Sequence, residues 1–253
     1  MIKQLTIRSI NYIRNELKKE LERQDKFPHL RQYVIELNDF KELKKVFNWT
    51  CDPVLDDPTL YEFASIVDAN ERRIRDAECI GVVTRNSNPS VVLEIGTSAG
   101  HTTALIAMNA PSARVYTLNI PADEIAAGEG GVLTTHAPLT EEIGSYYKGK
   151  ELTNITQILS NSATWKPNVG TINVAFVDGC HDSEFVYNDS CKILKAMVPG
   201  SFILWHDFNL NLTKNYRWIE SVCLGVEKLY RKGWLRSHIF HVRDSWVGVC
   251  QID

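Results

Sequence analysis

Two short polar clusters in the second half of the chain contain side chains suited to chemistry. One cluster, 178–182 with the sequence DGCHD, follows the apolar run 172–177, and the other, 206–207 with the sequence HD, follows the apolar run 202–205. Aspartate and histidine ligate divalent cations and transfer protons near neutral pH. If both runs are strands of one parallel sheet, both clusters leave the same edge, where charged residues seldom serve the fold alone. The structural alternative is that Asp178 caps the following helix.

A glycine-containing loop, Glu94-Ile-Gly-Thr-Ser-Ala-Gly100, ends another apolar run. Its two glycines let the backbone turn sharply and let a ligand approach closely, and a following helix offers free N–H groups to polar ligand atoms. A dinucleotide-binding loop needs glycine at positions 96, 98 and 101, where this chain has Ser98 and His101 in the last two. A phosphate-binding Gly-Lys-Ser/Thr does not follow either. The pattern therefore disfavours NAD, and a turn without a ligand is the structural alternative.

The elements that position these segments alternate between strand and helix from residue 91 onward. Strands are predicted at 91–95, 114–120, 155–159, 172–177, 202–205, 237–242 and 245–252. Helices are predicted at 59–84, 102–109, 183–197 and 216–230. This alternation predicts an α/β fold with a seven-stranded, mostly parallel sheet, helices on both faces and a closing antiparallel hairpin. Segment 122–138, rich in Gly, Ala and Thr, is predicted as a long loop and a candidate lid.

The N-terminal part has a different pattern. Apolar residues from Ile10 to Leu21 recur at helical spacing, and Lys41–Phe47 is predicted as a second, short helix. We therefore divide the chain into an N-terminal helical extension, 1–58, and a main domain, 59–253. The extension either packs against the main domain, covers a substrate pocket or forms the contact of a homo-oligomer.

Composition excludes several other classes of protein. The formal net charge is −3, which gives no overall attraction to nucleic acid or to an anionic membrane. No apolar run approaches the roughly 20 residues that span a bilayer. The six cysteines form no C-x-x-C pair, which argues against a zinc ribbon or a thioredoxin-like site. Because Met1 to Gln4 do not begin an apolar signal segment, we expect a soluble, cytoplasmic protein.

The run from Val92 to Gly100 resembles the first motif of class I methyltransferases that depend on S-adenosylmethionine (SAM). The resemblance implies a Rossmann-like class I methyltransferase fold that binds SAM. The cofactor-binding residues that it implies are Glu94, Gly96, Thr97, Ser98, Gly100, His101, Asn119, Ser162, Ala163 and Asp178. In the family, an acidic residue at the end of the second strand bonds both ribose hydroxyls. This chain departs from that pattern with Asn119, and Asp123 or Glu124 are the candidates to compensate.

From Val91 to Ile252 the chain resembles, more narrowly, the O-methyltransferases associated with macrolide-sugar (macrocin) and cephamycin biosynthesis, and more distantly catechol O-methyltransferase. The resemblance is carried by VDGCH at 177–181, VPGS at 198–201, WHDF at 205–208 and RDSWVGV at 243–249. In such relatives, carboxylates after the fourth and fifth strands hold a divalent cation beside the SAM methyl group. A histidine three residues beyond the first carboxylate serves as base.

The resemblance implies roles for the two polar clusters. Asp178 and Asp207 would ligate Mg²⁺ or Mn²⁺ with His206 or Asp182 as a third ligand, and His181, beside Asp178, would be the catalytic base. A nitrogen ligand would favour Mn²⁺ or another transition metal, because Mg²⁺ prefers oxygen.

The function implied is SAM-dependent O-methylation of a small-molecule hydroxyl of sugar or natural-product type. A bound cation stabilises the alkoxide of the acceptor, and a base removes its proton. Two alternatives stay open. One is a methyltransferase without metal, in which His181 acts alone as base. The other is a non-catalytic accessory or binding protein of a biosynthetic pathway that retains the fold.

Overall fold

The computed structural model of the protein describes residues 25–55, 67–134 and 138–253. Its helices are α1 (Leu30–Tyr33), α2 (Phe40–Phe47), α3 (Val67–Asn86), α4 (His101–Asn109), α5 (Ala122–Ala126), α6 (Ser145–Lys148), α7 (Ser183–Leu194) and α8 (Arg217–Arg231). Its strands are β1 (Val34–Leu37), β2 (Val91–Ile95), β3 (Arg114–Asn119), β4 (Ile155–Leu159), β5 (Ile172–Val177), β6 (Met197–Trp205), β7 (Ile239–Val242) and β8 (Gly248–Gln251). The predicted helix at Ile10 to Leu21 and the start of the predicted helix 59–84 lie outside the described residues.

The strands form one sheet in the order β1-β7-β8-β6-β5-β2-β3-β4. Only β8 is antiparallel to its neighbours, so the predicted α/β fold, the mostly parallel sheet and the closing hairpin are all confirmed. The strand count was one too low. The eighth strand, β1, pairs in parallel with β7 at one edge of the sheet, from Val34 opposite Ile239 to Leu37 opposite Val242.

The extra strand lies in the segment 1–58 that was predicted to be helical. Its sequence, Val-Ile-Glu-Leu, is too short to show a period, and it lies between two short helices, α1 and α2. The described part of the extension is therefore not purely helical, whereas the predicted short helix at Lys41–Phe47 is present as α2. The domain division at residue 58 stays a prediction.

The central strands are apolar along their length because both faces of the sheet are covered. Leu93 and Ile95 of β2 join the buried cluster under α7 and α8. Val92, on the opposite face, joins the cluster that contains Leu105 of α4 and Val83 of α3. Alternate side chains of one strand thus pack into two cores. Among the described residues, no helix has the length and apolar character needed to cross a membrane.

The register of the sheet brings the predicted functional loops to one level. Ile95 at the end of β2 pairs with Val177 at the end of β5, and Val177 pairs with Trp205 at the end of β6. The chain continues from β2 to β3 and β4 on one side and returns to β5 and β6 on the other. A crevice therefore opens between β2 and β5, which is where open α/β sheets bind ligands.

Candidate active site

A cavity of about 520 Å³ lies at this edge of the sheet. Its volume is within the range typical of small-molecule sites, roughly 300–1,000 Å³. The predicted site residues that line it are Gly96, Thr97, Ser98, Gly100, His101, Asn119, Ser162, Asp178, His181, His206 and Asp207. Two predicted residues do not: Glu94 is fully buried and Ala163 is exposed.

The loop after β2 packs directly against the end of β5. Gly96 has a φ of +102°, and a Cβ on it would lie 2.0 Å from the carbonyl oxygen of Asp178. Its backbone N–H donates to the carbonyl of Leu118 (2.7 Å), and the N–H of Asp178 donates to the carbonyl of Ile95 (2.8 Å). Both the backbone conformation and the close approach require glycine at position 96.

The Asn119 side chain is bonded to the protein's own loop. Its Oδ1 accepts hydrogen bonds from the backbone N–H groups of Thr97 (3.1 Å) and Ser98 (3.0 Å). Its Nδ2 donates to the carbonyl of Ile120 (2.9 Å). The residue predicted to contact the ribose therefore also fixes the conformation of the glycine loop.

Glu94 supports the loop from below. Its Oε2 accepts hydrogen bonds from the hydroxyls of Thr103 and Thr117, each at 2.5 Å. The Thr117 hydroxyl lies 2.7 Å from that of Thr97, in the loop itself. Burial raises the pKa of Glu94 to about 8, against the opposing effect of the two hydroxyl donors. At neutral pH Glu94 is therefore largely uncharged, and its role is to join β2, β3 and α4 beneath the cavity.

The predicted adenine-side loop is fixed by α7. The hydroxyl of Ser162 donates to Oδ2 of Asp189 (2.9 Å), and Lys192 Nζ donates to the carbonyls of Ser162 and Ala163. Burial raises the pKa of Asp189 to about 6. This arrangement leaves Ser162 at the cavity wall while the side chain of Ala163 points to solvent.

The two polar clusters after β5 and β6 meet in the cavity, as predicted. Nε2 of His181 lies 3.0 Å from Oδ2 of Asp207 and 3.9 Å from Oδ1 of Asp178. Nδ1 of His206 lies 3.0 Å from Oδ1 of Asp178 and 3.4 Å from Oδ2 of Asp207. Two carboxylates therefore face two imidazole rings. The structural alternative for Asp178 is wrong, because the N-cap residue of α7 is Asp182.

Charges in this group perturb one another strongly. Burial alone would lower the pKa of His181, but the carboxylates of Asp178 and Asp207 raise it to about 9. Burial would also lower the pKa of His206, but the same two carboxylates raise it well above its usual value. The two histidines hold the pKa of Asp207 well below its usual range although the residue is buried. Both histidines are therefore protonated at neutral pH when only these carboxylates face them.

The donor set fits a divalent cation. Ligand atoms of Asp178, His181 and Asp207 all lie within 4.8 Å of one another. His206, the predicted third ligand, directs Nδ1 at the same two carboxylates, whereas Asp182 bonds the backbone N–H of Val132 (2.6 Å) in segment 127–134. Without a cation, the protonated histidines offset the charge of the two buried carboxylates. A bound cation would offset that charge instead, and the histidines could then lose their extra protons. Oxygen and nitrogen donors together favour Mn²⁺ over Mg²⁺.

Sequence analysis missed several residues of the cavity wall, among them two tryptophans and an aspartate. Trp218 and Trp246 line it, and the indole N–H of Trp218 donates to Oδ1 of Asp207 (3.2 Å). Asp76 lines it from α3, together with Arg73. The sequence contains a signal for Asp76. Positions 73, 76, 77 and 80 share one helical face, on which the charged Arg73 and Asp76 lie beside Ala77 and Ile80.

Comparisons with known proteins agree with this architecture. Residues 93–208 match the model of a family described as a methyltransferase domain. The O-methyltransferase NovP is similar in structure, with a TM-score of 0.54 and 16% sequence identity over 72% of this chain and 80% of NovP. The Podospora anserina methyltransferase PaMTH1, a structure bound to S-adenosylhomocysteine (SAH), gives a TM-score of 0.53 at 16% identity over 85% and 95%. A comparison with curated proteins found no match.

A third similar structure is the O-methyltransferase TomG from Streptomyces achromogenes, in complex with SAM. Its TM-score is 0.50 at 13% identity, over 84% of this chain and 94% of TomG. At such identities the likeness concerns the fold, and the family match concerns the segment that holds both polar clusters and the glycine loop. The match to the methyltransferase-domain family covers residues 93–208, and the predicted class I methyltransferase fold is confirmed.

Proposed function

We propose that this methyltransferase transfers the methyl group of SAM to a hydroxyl of a small molecule, with the help of a divalent cation. One observation carries the proposal: the glycine loop and the buried group Asp178, His181 and Asp207 line the same cavity. The loop provides the cofactor side, and the carboxylates and histidines provide the means to deprotonate an alcohol. An alcohol is a poor nucleophile at neutral pH until its proton is removed.

SAM would supply a methyl group bound to a sulfonium. The acceptor oxygen would form the new O–C bond in line as the S–C bond breaks and SAH leaves, and the hydroxyl proton would pass to the proposed base, His181. Binding would rest on the loop at Gly96 to Gly100, on Asn119, and on Ser162 at the adenine side, with His101 beside the loop. The likeness to TomG, solved with SAM, and to PaMTH1, solved with SAH, supports this cofactor. Open backbone N–H groups at the start of α4 suit the polar methionine part.

Asp178, Asp207 and His206 are the residues that we propose hold the cation. Its chemistry would be to stabilise the negative charge that develops on the acceptor oxygen. His181 is the proposed base: Nε2 faces Asp207, while Nδ1 is buried and has no hydrogen-bond partner among the described residues. With a pKa of about 9, only about one His181 ring in a hundred is neutral at pH 7. A cation between the carboxylates favours the neutral ring, which supports the metal-assisted reaction over the metal-free alternative.

The acceptor is proposed to be a ring-bearing natural product or sugar. Trp218 and Trp246 form an apolar wall beside Asp207, and such surfaces bind the faces of rings. NovP and TomG are described as O-methyltransferases, and TomG as involved in tomaymycin synthesis, which supports an oxygen acceptor of this type.

The test combines binding with turnover. Calorimetry should detect SAM binding to the full chain, and a panel of sugar and phenol hydroxyls should yield SAH with at least one member. EDTA and Asp207→Ala should each abolish turnover, and Mn²⁺ should restore it only in the unmutated protein. Full turnover in metal-stripped Asp207→Ala would end the cation proposal.

The non-catalytic alternative has one observation in its favour. The Asn119 oxygen is already bonded to Thr97 and Ser98, where the family has a carboxylate for the ribose. Absence of SAM binding at millimolar concentration would favour an accessory protein that keeps the fold.

A further inference from the structure

Asp76 of α3 is a buried carboxylate at the wall of the cavity, outside the segment that matches the methyltransferase-domain family. Its two oxygens bond to different parts of the chain. Oδ1 accepts a hydrogen bond of 2.7 Å from the backbone N–H of Trp246. Oδ2 lies 3.3 Å from Nε2 of His206. These partners are 170 and 130 residues away in sequence, so the bonds join three distant segments at the cavity.

The bond to His206 orients a proposed ligand. With Nε2 directed at Asp76, the other ring nitrogen, Nδ1, faces Oδ1 of Asp178 and Oδ2 of Asp207. A histidine that ligates a metal usually donates its other ring N–H to a carboxylate or carbonyl, which fixes both the ring and the tautomer. Asp76 stands in that relation to His206.

The bond to Trp246 positions the apolar wall. The carbonyl of Trp246 accepts from the N–H of Phe208, directly after Asp207 (2.9 Å). The ring of Trp246 packs 6.5 Å, between centroids, from that of Trp218, whose N–H donates to Asp207. Asp76 thus bonds both to His206, in the charged group, and to Trp246, in the proposed acceptor surface.

We propose that Asp76 is a positioning residue: it holds Nε2–H of His206 so that Nδ1 is available to a cation, and it holds Trp246 beside that cation. The proposal rests on the proposed function where it treats His206 as a ligand. It adds that a residue of α3, outside the family segment, sets the geometry of the centre.

Asp76→Asn separates the two roles. The amide oxygen can still accept from the N–H of Trp246, while the amide N–H₂ now faces Nε2 of His206. A His206 ring that gives up one proton then keeps the proton on Nδ1, which leaves no lone pair there for a cation. Glu78→Gln, a charge-removing change on the same helix two residues away and outside the cavity lining, is the matched control.

The experiment measures Mn²⁺ binding by electron paramagnetic resonance on the full chain, without SAM or acceptor. We expect Asp76→Asn to weaken binding about 10- to 100-fold and Glu78→Gln to leave it unchanged. Equal binding by Asp76→Asn and the unmutated protein would overturn the proposal.

A second measurement separates failure of this inference from failure of the cation proposal. In ¹⁵N-histidine-labelled protein, the Nε2–H signal of His206, assigned by its loss in His206→Gln, should be protected from solvent exchange. In Asp76→Asn, which removes the carboxylate acceptor, this proton should exchange rapidly with solvent. Amide exchange at Trp246 should stay slow in Asp76→Asn and become fast in Asp76→Ala. If the unmutated protein binds no Mn²⁺, the cation proposal fails, and these signals decide the role of Asp76. An Nε2–H signal unchanged in Asp76→Asn would overturn it.

Discussion

The side-chain oxygen of Asn119 accepts a hydrogen bond of 3.0 Å from the backbone N–H of Ser98. A second bond, from the N–H of Thr97, reaches the same oxygen. The end of β3 thereby fixes the glycine loop after β2. A residue expected to contact the ribose therefore also maintains the loop that is proposed to contact the rest of SAM. We therefore expect position 119 to affect cofactor binding through loop geometry as well as through any direct contact.

Asn119→Ala should weaken SAM binding about tenfold or more. Two loop N–H groups, one of them buried, lose their acceptor, and an unsatisfied buried donor costs about 1–3 kcal/mol. Asn119→Asp keeps an acceptor oxygen. In contrast to Asn119→Ala, it should bind SAM at least as tightly as the unmutated protein does. Titration calorimetry measures both, with Asn168→Ala, at an exposed loop position, as the control. Unchanged affinity in Asn119→Ala would contradict the assigned role.

Gly96→Ala should destabilise the fold and abolish SAM binding. The new Cβ meets the carbonyl oxygen of Asp178, and the backbone has a φ of +102°. Gly170 supplies the matched control, because its φ is +85° but a Cβ there meets nothing within 4 Å. Gly170→Ala should cost only the left-handed backbone term, about 1–2 kcal/mol, and leave SAM binding intact. Chemical denaturation and calorimetry would show the difference, and equal effects of the two changes would refute the close approach at Gly96.

Much of this arrangement follows from the sequence, because an apolar run buried on both faces and ending in polar residues is a strong pattern. β2 and β5 have the predicted bounds, and Asp178 and Asp207 meet as expected at their sheet edge. β6 begins at Met197, earlier than predicted. Its first residues were not recognised because Pro199 and Gly200 are atypical of a strand. A register shift between β5 and β6 accommodates them.

Other features could not be predicted, because they depend on contacts between segments far apart in sequence. β1 is a strand because β7 pairs with it, and nothing in four residues shows that. The bonds of Asn119 to the loop and of Asp76 to His206 likewise require the folded geometry. The loop predicted at 122–138 starts with a short helix, α5, whose first turn contains Asp123 and Glu124.

Glu94→Gln should change how stability depends on pH. The pKa of Glu94 is raised by burial from 4.5 to about 8 in the folded protein. Its uncharged form is compatible with the fold, so its contribution is fully present below about pH 4.5 and is lost as pH rises through about 8. Relative to the Gln variant, the unmutated protein should lose about 2–4 kcal/mol of unfolding free energy between pH 5 and pH 9. Denaturant titrations at several pH values measure this difference, and a difference that is constant with pH would disprove the raised pKa.

Gly131→Ala should loosen segment 127–134, part of the candidate lid. A Cβ on Gly131 would lie 2.5 Å from Sγ of Cys180 and 2.7 Å from Oδ2 of Asp182, so either these side chains or the segment must move. That movement breaks the 2.6 Å bond from the N–H of Val132 to Asp182 and opens the cavity wall formed by Gly130. We therefore expect faster limited proteolysis within the segment and weaker SAM binding.

Gly128 provides the control for this change on the same segment. Its φ of +85° matches the +81° of Gly131, yet a Cβ there meets nothing within 4 Å, so Gly128→Ala carries the backbone cost without the collision. If the segment is a lid over the proposed SAM site, SAM should slow cleavage in the unmutated protein. Gly131→Ala should lose most of that protection, and Gly128→Ala should keep it. Cleavage that SAM leaves unchanged in the unmutated protein would show that the segment is not a lid.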